Sequence, residues 1–249
     1  MHEAMREKSS LKQEHYEQLG VAMTCRSYAE YARMFDLSPE RLFRGPVLDV
    51  AAGASSFAAE AERLGVEVTA ADPLYSMAPV LIREKGLAEI ETSTGKLAAL
   101  QHRFDWSYYG SIDEHRAGRE RSLERFYEHF SRIPDRYAPA YLPHLPFADG
   151  EFSLVLCSHF LFLYQEQFDA AFHEAALLEL MRVCRQDGEA RVYPLLSLRW
   201  ERYPQLDELM QTLERRGIEC RLERSHLPFI PGSSEMLVMR HLPREIEQE

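Results

Sequence analysis

The chain has 249 residues, 45% of them hydrophobic, with a formal net charge of −11 and four cysteines. That length can enclose one substantial core, so a single domain over 1–249 is the starting expectation. The acidity disfavours nucleic acid as the main partner, because affinity for a phosphate backbone rests on clustered Lys and Arg. Cys25, Cys157, Cys184 and Cys220 form no CxxC pair of the kind that a thiolate zinc site or a disulfide framework uses.

Taken in chain order, the first residues, MHEAMREKSSLKQEHYEQ, are charged where a leader would be apolar, and no later run reaches membrane-spanning length. A cytoplasmic protein with no membrane partner is expected. To about Arg44 the pattern is helical, with Tyr28, Tyr31, Met34 and Phe35 as an apolar stripe and Ser38-Pro39-Glu40 as a helix start, predicting an N-terminal helical cap over 1–45. From Pro46 the pattern changes. PVLDVAAG is a short apolar strand closing on small residues, ASSFAAEAERLG is helical, and VEVTAADP is a second buried strand, which together make a βαβ unit. Asp72 ends that second strand 23 residues beyond Asp49, close to the spacing that places a carboxylate on a ribose, so a nucleoside-containing ligand is expected.

Between Leu74 and Pro139 no strand pattern stands out, and Phe104, Trp106, Tyr108, Tyr109, Phe126, Tyr127 and Phe130 lie among many charges. Helices are the expected content of so long a connection, giving a helical insertion over 86–138 that could form a substrate lid. The sheet pattern then resumes with FSLVLCSH. The amphipathic helix QFDAAFHEAALLELMRVCR follows, with Gly188 as its stop, and then the strand EARVYPLL. A helix at LDELMQTLERRG and strands at IECRLER and SEMLVMRH close the chain, the last two as a hairpin-type ending that could set one strand antiparallel. The expected fold is α/β: a doubly wound, mostly parallel seven-stranded sheet with helices on both faces, N-terminal helices and a helical insertion before the fourth strand.

Four segments, VLDVAAG, AADP, LPFADGEFSLVLCSHFL and ELMRVCRQDGEARV, occur in that order between Gly45 and Pro194. They resemble the ordered motifs of class I, Rossmann-like S-adenosylmethionine-dependent methyltransferases. The resemblance implies S-adenosyl-L-methionine as cofactor, S-adenosyl-L-homocysteine as product, and methyl transfer, with a small molecule as the expected acceptor. In that family the first turn alternates glycines. Here it reads Asp49-Val50-Ala51-Ala52-Gly53-Ala54-Ser55 and keeps only the middle one, with Ala51 and Ser55 small enough to preserve room. By resemblance Asp49 orients the amino-acid end of the cofactor, the backbone at Ala51 and Gly53 approaches its methionine and ribose, and Asp72, followed by Pro73, accepts from the ribose hydroxyls. The plainer alternatives are a turn carboxylate at Asp49 and a turn initiator at Asp72.

The family commonly ends its third strand with a carboxylate that meets adenine, and Ala140-Tyr141-Leu142-Pro143-His144 carries none. His144, with Leu145 beside it, or backbone groups could take over that contact, as could Asp149, although Asp149-Gly150 reads more simply as a turn. After the fourth strand come Cys157, Ser158 and His159; Ser158 is placed with the cofactor, and His159 has a reference pKa suited to removing a proton from the acceptor. Alternatively His159 satisfies backbone at a strand end or touches the cofactor. Tyr28 either closes over the cofactor or belongs to the core, and Trp106, Tyr108 and Tyr109 either line an acceptor pocket or pack helices. No metal is expected, since the ten histidines form no HxxxH pair among carboxylates. There is no GxSxG elbow and no P-loop. Two other classes compete: a catalytically degenerate relative that keeps the fold as a binding module, and a nicotinamide-dependent oxidoreductase, which the single glycine of the turn opposes.

Overall fold

The structure is a computed structural model that describes residues 20–227 and 229–243. The beginning of the expected N-terminal cap, 1–19, lies outside the described residues. Seven strands make one sheet: β1 Val47–Val50, β2 Val68–Ala71, β3 Tyr137–Ala138, β4 Phe152–Ser158, β5 Cys184–Tyr193, β6 Ile218–Arg224 and β7 Glu235–His241. Their order across the sheet is β3-β2-β1-β4-β5-β7-β6. Pairing is parallel from β3 through β5, and β7 runs antiparallel to both β5 and β6. The doubly wound, mostly parallel α/β sheet expected from the sequence, with its antiparallel ending, is the fold adopted.

Among the described residues seven α-helices cover the sheet: α1 Tyr28–Met34, α2 Pro39–Leu42, α3 Phe57–Glu62, α4 Pro79–Ala99, α5 Ile112–Arg132, α6 Ala170–Val183 and α7 Leu206–Arg215. Alternation along each strand divides the core into two layers. Leu48, Val50, Val155 and Val192 pack with Leu177 and Leu180 of α6 and Leu206 and Leu213 of α7. On the opposite face Val47, Leu154 and Leu156 meet Tyr31 of α1, Phe57 of α3, Ile82 of α4 and Phe126 of α5. Asp49 shares this second face by the same alternation, which sends its carboxyl under α1. The Ser27 hydroxyl and the Glu30 carboxylate cap the start of α1 reciprocally, fixing where the chain enters the helix. No helix among the described residues is long and apolar enough to cross a membrane.

Three local expectations change. A strand, β3, lies inside the stretch expected to hold none; two residues are too few to show a period, and Tyr137 is buried among Tyr75, Phe126 and Phe130. The inserted helices begin at Pro79, and they pack closely enough that a Cβ on Gly86 would stand 2.7 Å from the Leu123 side chain. Helix α6 stops at Val183, not near Gly188, because Cys184 is already extended and opens β5. Gly188 serves the sheet: a Cβ there would stand 2.7 Å from the Ser153 carbonyl oxygen.

Candidate functional site

Strands β1 and β4 are neighbours, yet the chain leaves them toward opposite edges of the sheet, which opens a crevice beyond their carboxyl ends. A cavity of about 660 Å³ lies there, within the ~300–1,000 Å³ range of small-molecule sites. Its floor is the turn after β1, where Ala51 and Gly53 both adopt left-handed backbone, at φ 56° and 58°. The segment before α1 crosses directly over Gly53, where a Cβ would stand 3.0 Å from the Thr24 carbonyl oxygen and 3.2 Å from its nitrogen. That crossing is held by Ala54 N–H donating to Thr24 O at 3.1 Å and Ser56 N–H to Arg26 O at 2.9 Å.

Asp72, at the end of β2, reaches the same turn. Its Oδ2 accepts from Gly53 N–H at 2.9 Å and its Oδ1 from Leu74 N–H at 2.9 Å, while Tyr75 donates to the Gly53 carbonyl at 2.8 Å. Burial raises the Asp72 pKa, opposed by these two amide bonds. Asp72, Pro73, Ala51 and Gly53 all line the cavity. Asp49 lies beneath it, 1% exposed. Tyr31 donates to its Oδ1 at 3.1 Å, and its Oδ2 is buried without a hydrogen-bond partner. Burial pushes the Asp49 carboxyl well above the usual aspartate range; the Tyr31 hydrogen bond opposes this and the Asp72 charge adds to it.

Four of the predicted cofactor contacts stand off the cavity. Tyr28 stacks on Phe57 with centroids 5.8 Å apart, so it packs α1 onto α3 instead of closing a lid. The chain reverses at 141–144, with His144 N–H donating to Tyr141 O at 3.0 Å. That reversal leaves His144 exposed, and Leu145 is buried in the core with its N–H on Glu179. The corresponding wall is made by Ala140, Tyr141 and Leu142. Ser158 is buried behind His159, its Oγ 2.9 Å from His159 Nδ1.

His159 does line the cavity. Its φ of 52° is left-handed, and its N–H donates to the Tyr193 carbonyl at 2.7 Å. Burial, with the charges of Arg26 and Arg119 adding to it, pushes the imidazole pKa well down, so the ring is neutral near pH 7. A second cavity of about 120 Å³ shares Ala22, Met23, Thr24, Glu89 and His159 with the first and continues between the inserted helices and the β5–α7 connection. His159 therefore stands at the junction of the two.

Several cavity residues had no signal in the sequence. Glu89 and Thr92 come from one face of α4, and Phe160, Phe168 and Phe172 from the segment leading into α6. Of the aromatic insertion, Phe104 lines the small cavity, whereas Trp106 packs edge-on against Phe229 and His115. Tyr109 donates to Glu30 at 2.6 Å, and Tyr108 lies under the Arg33 guanidinium.

No family model matches the chain. The uncharacterised protein MJ0045 of Methanocaldococcus jannaschii is 32% identical over 216 residues, which cover 86% of this chain and 94% of that protein. Among solved structures, a TehB-like SAM-dependent methyltransferase from Corynebacterium glutamicum is 16% identical with a TM-score of 0.44, covering 84% of this chain and 86% of its own. A putative S-adenosyl-L-methionine-dependent methyltransferase from Methanococcus maripaludis is 10% identical with a TM-score of 0.42, covering 88% and 85%.

Proposed function

The chain belongs to the family of the uncharacterised M. jannaschii protein, and from that premise we propose that it is an S-adenosylmethionine-dependent methyltransferase acting on a small-molecule acceptor. The observation that carries this is the Gly53 turn, pressed between Thr24 and the Asp72 carboxylate at the edge of the larger cavity. Gly53 has no room for a side chain, so its backbone faces the cavity bare. Asp72 is held by two amides yet keeps lone pairs free for two hydroxyls of a ribose. Asp49, directly beneath this turn, keeps a buried Oδ2 with no hydrogen-bond partner among the described residues.

When bound, the cofactor supplies a methyl on a sulfonium: the acceptor's O, N or S forms a bond to that carbon, and the C–S pair stays on sulfur. The residues of this chain align the acceptor and take up its proton. We assign the second task to His159, whose Nδ1 is engaged by Ser158 and which borders both cavities. Calorimetry with S-adenosylhomocysteine tests the reading. Binding is expected, with affinity falling roughly tenfold or more in Asp72→Ala, which strands the Gly53 and Leu74 amides as well. No heat at millimolar ligand refutes it. The non-catalytic alternative is favoured by Ala51 standing where left-handed backbone prefers glycine; binding without turnover over a broad acceptor panel would support it.

A further inference from the structure

The smaller cavity has a sided chemistry. At the junction with the larger one stand Glu89 and His159, and Glu89 Oε1 is buried without a partner. The rest of the wall includes Ile90, Leu97, Phe104, Leu163 and Phe229, and it ends on Arg26, His115 and Arg119. The two arginines meet Glu30. Arg119 donates to Glu30 Oε1 at 2.7 Å and to the Cys25 carbonyl at 2.9 Å, and Arg26 Nη1 lies 3.3 Å from the same Glu30 oxygen. Burial alone would raise the Glu30 carboxyl, but Arg119, Arg26, the Ser27 N–H and the Tyr109 hydroxyl outweigh it and hold the pKa at about 2. Two guanidinium groups against one carboxylate leave that end with one net positive charge.

His115 supplies a second donor. Its Nε2 is 3.2 Å from Arg119 Nη2. A guanidinium can only donate, so Nε2 must accept and the ring proton sits on Nδ1. Burial and the neighbouring Arg119 drive the imidazole pKa down to about 2, opposed by Glu30, so the ring is neutral. Nδ1–H is buried with no partner, and so is Nε–H of Arg26, on side chains 5% and 7% exposed as whole residues. Orphaned buried donors are costly, and both belong to residues that line this cavity, which makes the pair a signal for an acceptor-rich ligand group.

We propose that the smaller cavity takes a small carboxylic acid as the methyl acceptor. Its carboxylate is read by Arg26 and His115, which line the smaller cavity alone, and its nucleophilic atom lies toward His159 and Glu89, which line both. This rests on the methyltransferase reading of the larger cavity. The volume of about 120 Å³ sets the size, being a little below the ~150 Å³ of a cavity that accepts benzene, so the acid carries a short or single-ring apolar body. The charge arrangement is complementary: the acid's negative end meets the Arg26 and Arg119 charges, and Glu89 lies where the two cavities join. Transfer itself forms the acceptor–carbon bond, breaks the carbon–sulfur bond, and passes the acceptor's proton to His159 or Glu89.

The test is calorimetry on the full chain, first with S-adenosylhomocysteine, then on the saturated protein with acetate, butyrate and benzoate against acetamide, butyramide and benzamide. At least one acid should bind roughly tenfold or more tightly than its amide, as charge-assisted hydrogen bonds require. Arg26→Gln should erase that preference and leave S-adenosylhomocysteine affinity within about threefold. Should Arg26→Gln not fold by circular dichroism, His115→Phe, which keeps the ring against Phe229, serves as the second variant. Intact S-adenosylhomocysteine binding with no acid preferred over its amide overturns the proposal. An acid preference that Arg26→Gln abolishes, in a protein that ignores S-adenosylhomocysteine, upholds the acid site and refutes the cofactor reading instead.

Discussion

Ala51 and Gly53 share a left-handed backbone, so exchanging their side chains should move stability in opposite directions. For an L-residue that conformation costs about 1–2 kcal/mol, and Ala51 bears this cost at φ 56°. Ala51→Gly removes it but also frees the unfolded chain, which takes back about 0.4–1 kcal/mol. The net expectation is a gain of up to ~1 kcal/mol, or a Tm rise of roughly 2–4 °C at most for a chain of this size. Gly53→Ala adds the same backbone cost and drives a methyl to 3.0 Å from Thr24 O. It must also displace the Val21–Arg26 crossing, whose amide bonds to Ala54 and Ser56 would lengthen. A loss of about 2–4 kcal/mol is expected, with S-adenosylhomocysteine affinity falling roughly tenfold or more. Differential scanning fluorimetry and calorimetry on both variants read this out. A Gly53→Ala protein with wild-type Tm and wild-type affinity would refute the close approach on which the site is built.

Replacing His159 by Asn, which tolerates left-handed backbone, should lower turnover roughly 10²-fold or more while S-adenosylhomocysteine affinity stays within a few-fold; a methylation assay with any accepted substrate decides. For pH, the His115 pKa is lowered by burial and Arg119, so the folded ring stays neutral while the unfolded one protonates below about 6.5. Wild-type stability should therefore decline relative to His115→Phe as pH falls from 6.5 toward 4.5, by several degrees in Tm, and a constant Tm difference would contradict the buried neutral ring. Glu30 works in the same direction lower down. Its depressed pKa gives stability that is present above 4.5 and lost as pH falls toward 2, so Glu30→Gln should flatten the acid limb of the stability curve.

The β1–α3–β2 unit was legible because each element carries its own period and because small residues and carboxylates fall at the strand ends, where the fold needs them. Asp72 and Gly53, singled out that way, both line the larger cavity. Asp49 was singled out too, but strand alternation turns its side chain beneath the turn, and proximity in sequence to Gly53 conceals that. His144 and Leu145 were misplaced because a reversal at 141–144 depends on tertiary packing and leaves no periodic trace. Gly188 was read as a helix stop since glycine there suits a C-cap equally well; only the 2.7 Å approach to Ser153 distinguishes the two roles. The Arg26–Glu30–Arg119 cluster was invisible for a different reason. Its Arg26–Glu30 half has ordinary i,i+4 helix spacing, and its other half is 89 residues away.

The two cavities are joined by more than contact, because one stretch of chain builds both. The Arg26 carbonyl accepts from Ser56 N–H and Ser55 Oγ beside the Gly53 turn, and the same residue lines the smaller cavity. Thr24 presses on Gly53 and also lines the smaller cavity. Left-handed residues stand at the ends of both central strands, Ala51 after β1 and His159 after β4, and neither is glycine. Backbone of that kind persists only where its surroundings over-determine it, and such positions concentrate where a ligand must be held in one geometry. Here the sources are identifiable: the Val21–Arg26 crossing bonds the turn that contains the first position, at Ala54 and Ser56, and the Tyr193 carbonyl holds the second. A glycine at position 51 would relieve the first of these two strains, whereas the crowded Gly53 beside it admits no side chain.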